Sequence, residues 1–147
     1  MCGTVGRMSP PAADARSRLT TADFGVLGTV DTTLGVHLVP VVFVVDESRL
    51  LIPVDMVKPK RSAALRRIHN LEAEPQATLL VDQRSDDWTE LWWVRADLMF
   101  RGYDIPGDAD VDLLAAKYSP YGERGSVIGI IELTITRITG WEATDSA

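Results

Sequence analysis

The chain has 147 residues, a hydrophobic fraction of 46% and a net charge of −6, values typical of a single globular domain with its own core. No apolar run of about eighteen residues occurs, and the N-terminal residues lack a signal peptide's apolar segment, so we expect a cytoplasmic protein that does not enter a membrane. The single cysteine, Cys2, excludes an internal disulfide. We expect residues 1–8 to be a disordered extension, with Met8 as an open alternative start, and residues 9–147 to form the domain.

In chain order, the first predicted element is a helix that has Ser9 as its N-cap and ends at about Asp23. Further helices are predicted from about Lys60 to Pro75 and from Asp108 to Tyr118. Runs of β-branched and apolar residues predict six strands, at 25–31, 36–47, 49–55, 76–82, 91–103 and 127–143. Pro40, inside the second strand, requires a bulge or an edge position because proline has no N–H to donate.

The way these strands are connected predicts the fold class. They are joined by hairpins and not by regular strand–helix–strand alternation, which favours an antiparallel sheet. Six strands with long β-branched runs close naturally into a small barrel, which removes exposed sheet edges. The sequence therefore predicts a mainly β, α+β domain, built as a six-stranded antiparallel barrel with peripheral helices.

The segment VKPKRSAALRRI, residues 57–68, holds a third of the chain's fifteen cations, namely Lys58, Lys60, Arg61, Arg66 and Arg67. The rest of the chain has ten cations against twenty-one acids, and such a body disfavours nucleic acid and anionic membranes. The segment opens a predicted helix, whose first N–H groups and dipole attract anions. One interpretation is a site for a small polyanion, and the other is a solvated helix face.

Motifs for other chemistries are missing from the sequence. There is no phosphate loop, GxGxxG, HExxH or CxxC motif, and two histidines are too few for a metal cluster. No serine stands in a nucleophile elbow. If the protein is an enzyme, we expect a bound cofactor to supply the chemistry, and no catalytic side chain can be named. Trp92 and Trp93 point to opposite faces of one strand, so we expect at least one of them in a core or interface.

Five segments occur in a characteristic order: HLVPVVF (37–43), VKPKRSAALRRIHNLEAEP (57–75), LLVD (79–82), DDW (86–88) and LWWVRAD (91–97). Together they resemble the split β-barrel flavin-binding superfamily of pyridoxamine 5′-phosphate oxidase. Within it they are most similar to the actinobacterial enzymes that use the deazaflavin coenzyme F420. The chain departs from that branch at His69, where an arginine-like residue is frequent, and at Leu98, where glycine is common.

The resemblance implies an FMN-binding-like split barrel in a homodimer whose cofactor site lies between the protomers. It implies an F420-dependent oxidoreductase that transfers hydride between the deazaflavin and an unidentified organic substrate. The cofactor-binding residues that it implies are Val41, Val42, Lys58, Lys60, Arg61, Arg66, Trp92, Trp93 and Arg95. Arg66 and Arg67 diverge by about 100° on a helix, so we expect only one of them to face the ligand. An FMN-binding enzyme of the same fold and a non-enzymatic cofactor or tetrapyrrole binder remain open alternatives.

Overall fold

The computed structural model describes residues 5–55, 61–123 and 125–145, with side chains for 9–55, 66–123 and 125–144. Its helices are α1 Ala12–Thr21, α2 Arg61–Ala73 and α3 Asp108–Lys117. Its strands are β1 Val5–Met8, β2 Gly25–Asp31, β3 Gly35–Val41, β4 Val44–Asp46, β5 Arg49–Asp55, β6 Gln76–Gln83, β7 Trp92–Asp104 and β8 Val127–Asp145. None of the helices in this part of the chain has the length and hydropathy needed to cross a bilayer.

All strand pairings are antiparallel, in the order β3-β2-β6-β7-β8-β5-β4, with β1 added beside β8. β3 and β4 stand at opposite ends of this order, yet only Val42 and Phe43 lie between them in the chain. Three Cα–Cα steps span at most about 11 Å, so the sheet curls until its two edges are close. β3 and β4 do not pair with each other, so the predicted closure is wrong and the barrel is split along a seam at residues 42 and 43.

The predicted class, mainly β with peripheral helices, is confirmed, but the predicted count of six strands is wrong. The run 36–47 is two strands, β3 and β4, because the chain crosses the seam within it. β1 is a further strand, at residues 5–8, where we expected a disordered extension. Pro40 lies on β3, an edge strand that pairs only with β2 in the described part of the chain, as the missing N–H of proline predicts.

The helices match the sequence pattern except at the start of α1. Pro11 is the N-cap of α1, with an extended ψ of 144° and no side-chain cap, so the predicted cap at Ser9 is wrong. Pro10 is buried against β8, where a Cβ on Gly140 would lie 3.1 Å from the Pro10 ring. A residue that precedes proline is biased toward extended backbone, which delays the helix until Ala12. The start of α2, predicted near Lys60, agrees to within a residue.

Two hydrophobic clusters hold the barrel. The larger one fills the interior and includes Ile68 and Leu71 of α2, which covers one side of the barrel. The smaller one lies between α3 and the outer face of the neighbouring strands, and consists of Val44, Leu51, Leu114, Tyr121, Val127 and Ile130. β5 is buried on both faces because its alternate residues enter different clusters. Packing on both sides therefore fixes the position of Asp55, the last residue of β5.

Candidate functional site

The basic segment connects a buried strand to a helix. β5 ends at Asp55 and α2 begins at Arg61, so the first N–H groups of α2 belong to this connection. Lys58 and Lys60 lie outside the described residues, as does the side chain of Arg61. The anion-binding roles of these three residues therefore stay predictions. Two arginines further along α2 have described side chains, and their surroundings differ.

Arg66 is engaged in an ion pair with Asp31 of β2. Its Nε and Nη2 donate to Oδ2 of Asp31 at 3.0 and 2.6 Å. The other carboxylate oxygen accepts the N–H groups of Thr33 and Leu34 at 2.9 and 3.0 Å, in the turn after β2. The backbone hydrogen bonds from Leu34 and Thr33, together with Arg66, lower the pKa of Asp31 to about 2. Arg66 thus ties α2 to this turn, and its predicted contact with a ligand would require the pair to open.

Arg67 is more enclosed than Arg66. Burial lowers the pKa of its guanidinium, while nearby Asp55 favours the charged form. Its Nε is buried and has no hydrogen-bond partner within the described residues. Tyr121 donates from its hydroxyl to Oδ2 of Asp55 at 2.8 Å, and burial together with this bond raises the pKa of Tyr121. Tyr121 and Asp55 therefore form a polar contact at the end of β5, next to the basic segment.

The seam residues lie beside a second group of polar contacts. The side chains of Val41 and Val42 face the larger and the smaller cluster, so only their main chain could contact a cofactor ring. The N–H of Phe43 donates to the hydroxyl of Tyr118 at 3.2 Å. That hydroxyl also lies 2.9 Å from the Phe43 carbonyl and 2.8 Å from the Asp23 carbonyl, to either of which it can donate. Tyr118 thus fixes the backbone next to the predicted ring site.

Lys117 fixes the same seam from α3. Its Nζ donates to the carbonyls of Phe43 and Thr20 at 2.9 and 3.2 Å, and lies 4.3 Å from the centre of the Phe43 ring. Half-burial of the amine lowers the pKa of Lys117. The lysine links α1, α3 and the β3–β4 connection. The sequence does not predict this role, because it shows only a lysine at the end of a helix.

The two adjacent tryptophans lie on different faces, as the strand alternation predicts. Trp92 packs against the larger cluster, and its ring centre is 5.0 Å from the guanidinium carbon of Arg18. Trp93 stands on the outer face, directly opposite Trp141 of β8, with the Arg95 guanidinium carbon 5.5 Å from its ring centre. The rings of Trp92, Trp93 and Trp141 line an open cleft of about 390 Å³, which we call the tryptophan cleft. Its lining also includes Leu80, Leu91 and Arg84.

The end of β5 that leads to the basic segment and the two tryptophans lie toward opposite ends of β8, whereas Val41 and Val42 lie at the seam. Asp55, next to the basic segment, pairs with Val127 at the start of β8, whereas Trp93 pairs with Trp141 near its end. Val127 and Trp141 are fourteen steps apart along the strand, a path of roughly 45 Å. Within one chain, therefore, the basic segment and the tryptophan cleft lie at opposite ends of the longest strand.

An apolar area covers the outer face of β2, β3 and β6. Its members are 37–74% exposed: Val26, Val30, Val36, Leu38 and Leu80. They are contiguous, because Val26 stands opposite Leu80 on one side and Pro40 on the other, and Val30 opposite Val36. We call these residues the sheet face. Protein–protein interfaces are commonly found on contiguous apolar surface. Leu80 also lines the tryptophan cleft, so the two surfaces are continuous.

No family model matches the sequence, and no curated protein matches it. Solved structures do match its fold along nearly the whole chain. An FAD-binding protein from Mesorhizobium loti is 17% identical, with a TM-score of 0.64, over 96% of this chain and 99% of its own. A Corynebacterium glutamicum protein, provisionally assigned as a pyridoxamine 5′-phosphate oxidase, is 16% identical, with a TM-score of 0.63, over 95% and 99%.

A protein described as an F420 reductase is 15% identical, with a TM-score of 0.60, over 88% of this chain and 97% of its own. Identities this low show the fold and not the activity. The fold is the split barrel of the pyridoxamine 5′-phosphate oxidase-like proteins, as the five sequence motifs predict.

Proposed function

We propose that this protein is an oxidoreductase that binds the deazaflavin coenzyme F420 and transfers hydride between it and an organic substrate. The observation that carries the proposal is the basic connection between β5 and α2 in a chain of net charge −6, on a fold shared with an F420 reductase. The coenzyme has a phosphodiester and a glutamate tail and is therefore a polyanion. Arg66 is paired with Asp31, and the other four cations of the basic segment still exceed what one terminal phosphate requires.

In this proposal, Lys58, Lys60 and Arg61 contact the phosphate and the tail. The N–H groups at the start of α2 add donors, and the helix dipole favours negative charge at that end. The main chain of Val41 and Val42 borders the ring. The reduced deazaflavin supplies the hydride when it is bound, and the residues of this chain bind it, orient it and exclude water.

The active form in this proposal is a homodimer that buries the sheet face. A second copy is the natural occupant because the apolar area is contiguous and runs into the tryptophan cleft through Leu80. The basic segment and the cleft lie at opposite ends of β8, so contacts from Trp92, Trp93 and Arg95 to the same cofactor would come from the other protomer. A stable two-fold interface of this type buries about 2,000 Å² or more.

An enzyme of the same fold that uses a flavin is the second candidate. Its support is the FAD-binding protein among the structural matches. A mononucleotide ends at its phosphate and would use fewer cations of the basic segment. The two candidates therefore differ in how many positive side chains their cofactors engage.

Titration of the purified protein with F420 and with FMN, followed by fluorescence and equilibrium dialysis, decides between them. We expect F420 to bind at least tenfold more tightly than FMN. We also expect the protein to speed the oxidation of reduced F420 by an artificial acceptor. Tight FMN binding without F420 binding would favour the flavin enzyme. A Soret band after haem addition, with neither flavin bound, would indicate the tetrapyrrole binder.

A further inference from the structure

We propose that the tryptophan cleft binds a planar aromatic carboxylate, with the ring face of Trp141 against the ligand's ring and the guanidinium of Arg95 on its carboxylate. The inference rests on the proposed function only for the ligand's role. In the proposed dimer, the cofactor held by one protomer borders the cleft of the other, so a ligand of this class is the organic substrate. The inference goes beyond the residues that the sequence motifs imply, because those omit Trp141 and leave the substrate unidentified.

The chain concentrates its large aromatic surface at one end of the sheet. It has four tryptophans, of which three line the cleft, and the fourth, Trp88, is 61% exposed just before β7. The three cleft tryptophans are half-buried, so part of each ring is accessible to a ligand. Rigid aromatic rings in a pocket supply much of the energy of binding. The cleft volume of about 390 Å³ lies within the range of roughly 300–1,000 Å³ that is usual for small-molecule sites.

The rim of the cleft is held in place from two strands. The side chain of Gln83, at the end of β6, donates from Nε2 to the carbonyl of Glu90 at 2.6 Å. The N–H of Ala143 on β8 donates to the carbonyl of Leu91 at 2.9 Å. The connection from β6 to β7 is therefore tied to both β6 and β8. A ligand meets a rim that is already ordered, which lowers the entropy cost of binding.

The three rings that line the cleft differ in what already covers them. The guanidinium carbon of Arg18 lies 5.0 Å from the ring centre of Trp92, and that of Arg95 lies 5.5 Å from the ring centre of Trp93. Trp141 stands directly opposite Trp93. Within the described residues, its ring has neither a cation over it nor a second ring in contact with it. The ring of Trp141 is therefore the aromatic surface of the cleft on which a planar ligand can stack.

Arg95 offers the matching contact for a carboxylate. It is exposed and forms no ion pair within 4 Å inside the described ranges. Its contact with Trp93 holds the guanidinium in place, while the N–H groups at the edge can donate to both oxygens of a carboxylate. Arg95 stands opposite Thr139, two residues before Trp141 on the same face of β8. Arg95 and Trp141 are therefore diagonal neighbours, roughly 7–8 Å apart, a distance that a ring with its own carboxylate can bridge.

The charges of the cleft favour an anion over a cation. Its lining contains two arginines, Arg84 and Arg95, and one acid, Asp82. The Asp82 carboxylate lies 3.2 Å from Nε of Arg84, so these two charges offset each other and Arg95 remains. A positive cleft in a chain of net charge −6 selects a negatively charged ligand. A cation would instead meet the rings of Trp92 and Trp93, each of which already has an arginine over it.

Calorimetric titration of the cofactor-free, full-length protein with 2-naphthoate tests the site, and three related probes separate its parts. 2-Naphthamide keeps the planar ring without the charge, and cyclohexanecarboxylate keeps the charge without a planar ring. 2-Naphthylmethylamine keeps the ring and is a cation at neutral pH. We expect 2-naphthoate to bind about tenfold or more tightly than each of the other three, because it alone makes both contacts.

Substitutions assign the two contacts. Arg95→Gln should weaken 2-naphthoate about tenfold or more and leave 2-naphthamide within about twofold, because only the charged contact is lost. Trp141→Leu, which is apolar but has no ring, should weaken both probes about fivefold or more, and Trp141→Phe about threefold or less. Arg101→Gln is the matched control and should bind like wild type, because Arg101 is an exposed arginine further along β7 whose Nε donates to Thr134 at 2.8 Å. Circular dichroism checks that each variant is folded.

The inference is overturned if wild type does not bind 2-naphthoate, if the amide or the amine binds as tightly, or if Arg95→Gln and the folded Trp141 variants bind it normally. Tighter binding by Leu38→Asp, a change in the sheet face that should separate the protomers, would mean that a second copy covers the cleft, and would also overturn it. Binding of 2-naphthoate through Arg95 and Trp141 without binding of F420 or FMN would keep the inference and reject the proposed function. F420 binding without 2-naphthoate binding would reject the inference alone.

Discussion

Replacement of Leu38 by aspartate should break the proposed homodimer. Leu38 is 66% exposed on the β3 part of the sheet face, over Gly28, whose missing side chain leaves room for it. Burial of one leucine side chain is worth about 1.5–3 kcal/mol. A two-fold interface contains two copies of the residue, so Leu38→Asp removes about 3–6 kcal/mol, before the cost of burying a carboxylate. At about 1.4 kcal/mol per tenfold change, the dimer dissociation constant should rise roughly 10²- to 10⁴-fold.

Sedimentation equilibrium across a range of concentrations measures that constant, and circular dichroism checks that the variant is folded. Ile105→Asp is the matched control, because Ile105 is 82% exposed but follows β7 outside the sheet face. The control should remain dimeric. A monomeric wild type at micromolar concentration would refute the reasoning, as would an unchanged constant for Leu38→Asp or equal dissociation in the control.

Three further predictions concern the site and the seam. The double variant Lys60→Ala, Arg61→Ala should weaken F420 binding by more than tenfold in a titration, because each charge-assisted contact is worth about 1.5–3 kcal/mol. An unchanged F420 affinity would place the site elsewhere. Tyr118→Phe should lower the unfolding free energy in urea by about 1–3 kcal/mol, because the N–H of Phe43 loses its acceptor. The folded pKa of Asp31, about 2, lies below its ordinary value of 3.8, so the charged carboxylate stabilises the wild type above about pH 4 and this stability is lost as the pH falls through about 2. Asp31→Asn should remove that stability. Plotted against pH, the melting temperatures of the variant and the wild type should therefore differ near neutral pH and converge in acid.

The sequence predicts the local elements well because their signals are local. Hairpin turns, the proline after α2 and the alternation along β7 each depend on neighbouring residues alone. The seam is different. The run from 36 to 47 is apolar on both sides of Val42, and although Pro40 predicts a bulge or an edge position, nothing in the run marks the crossing from one sheet edge to the other. The break is decided by the curling of the whole sheet, in which β8 pairs with β5 and β7 and the two edge strands are brought close together.

The candidate site shows the same division between local and distant information. The sequence locates the cations, because they are consecutive or nearly so. It cannot distinguish Arg66 from Arg67, because that depends on Asp31, which lies thirty-five residues earlier in the chain. Nor does it place Tyr121 against Asp55 across sixty-six residues. The pattern of a basic turn thus specifies a positive charge, while contacts between distant elements decide which guanidinium is already paired.

These contacts change how the positive charge of the basic segment should be counted. The sequence gives five cations within residues 58–67, but the Arg66 guanidinium is neutralised by Asp31, 2.6 Å away. Arg67 stands near Asp55, so part of its charge is offset before a ligand arrives. A ligand of many charges would therefore meet fewer free cations than the sequence suggests. The discrimination between a deazaflavin with an acidic tail and a mononucleotide then depends on how many of the remaining cations each cofactor engages, and Arg66 is not among them.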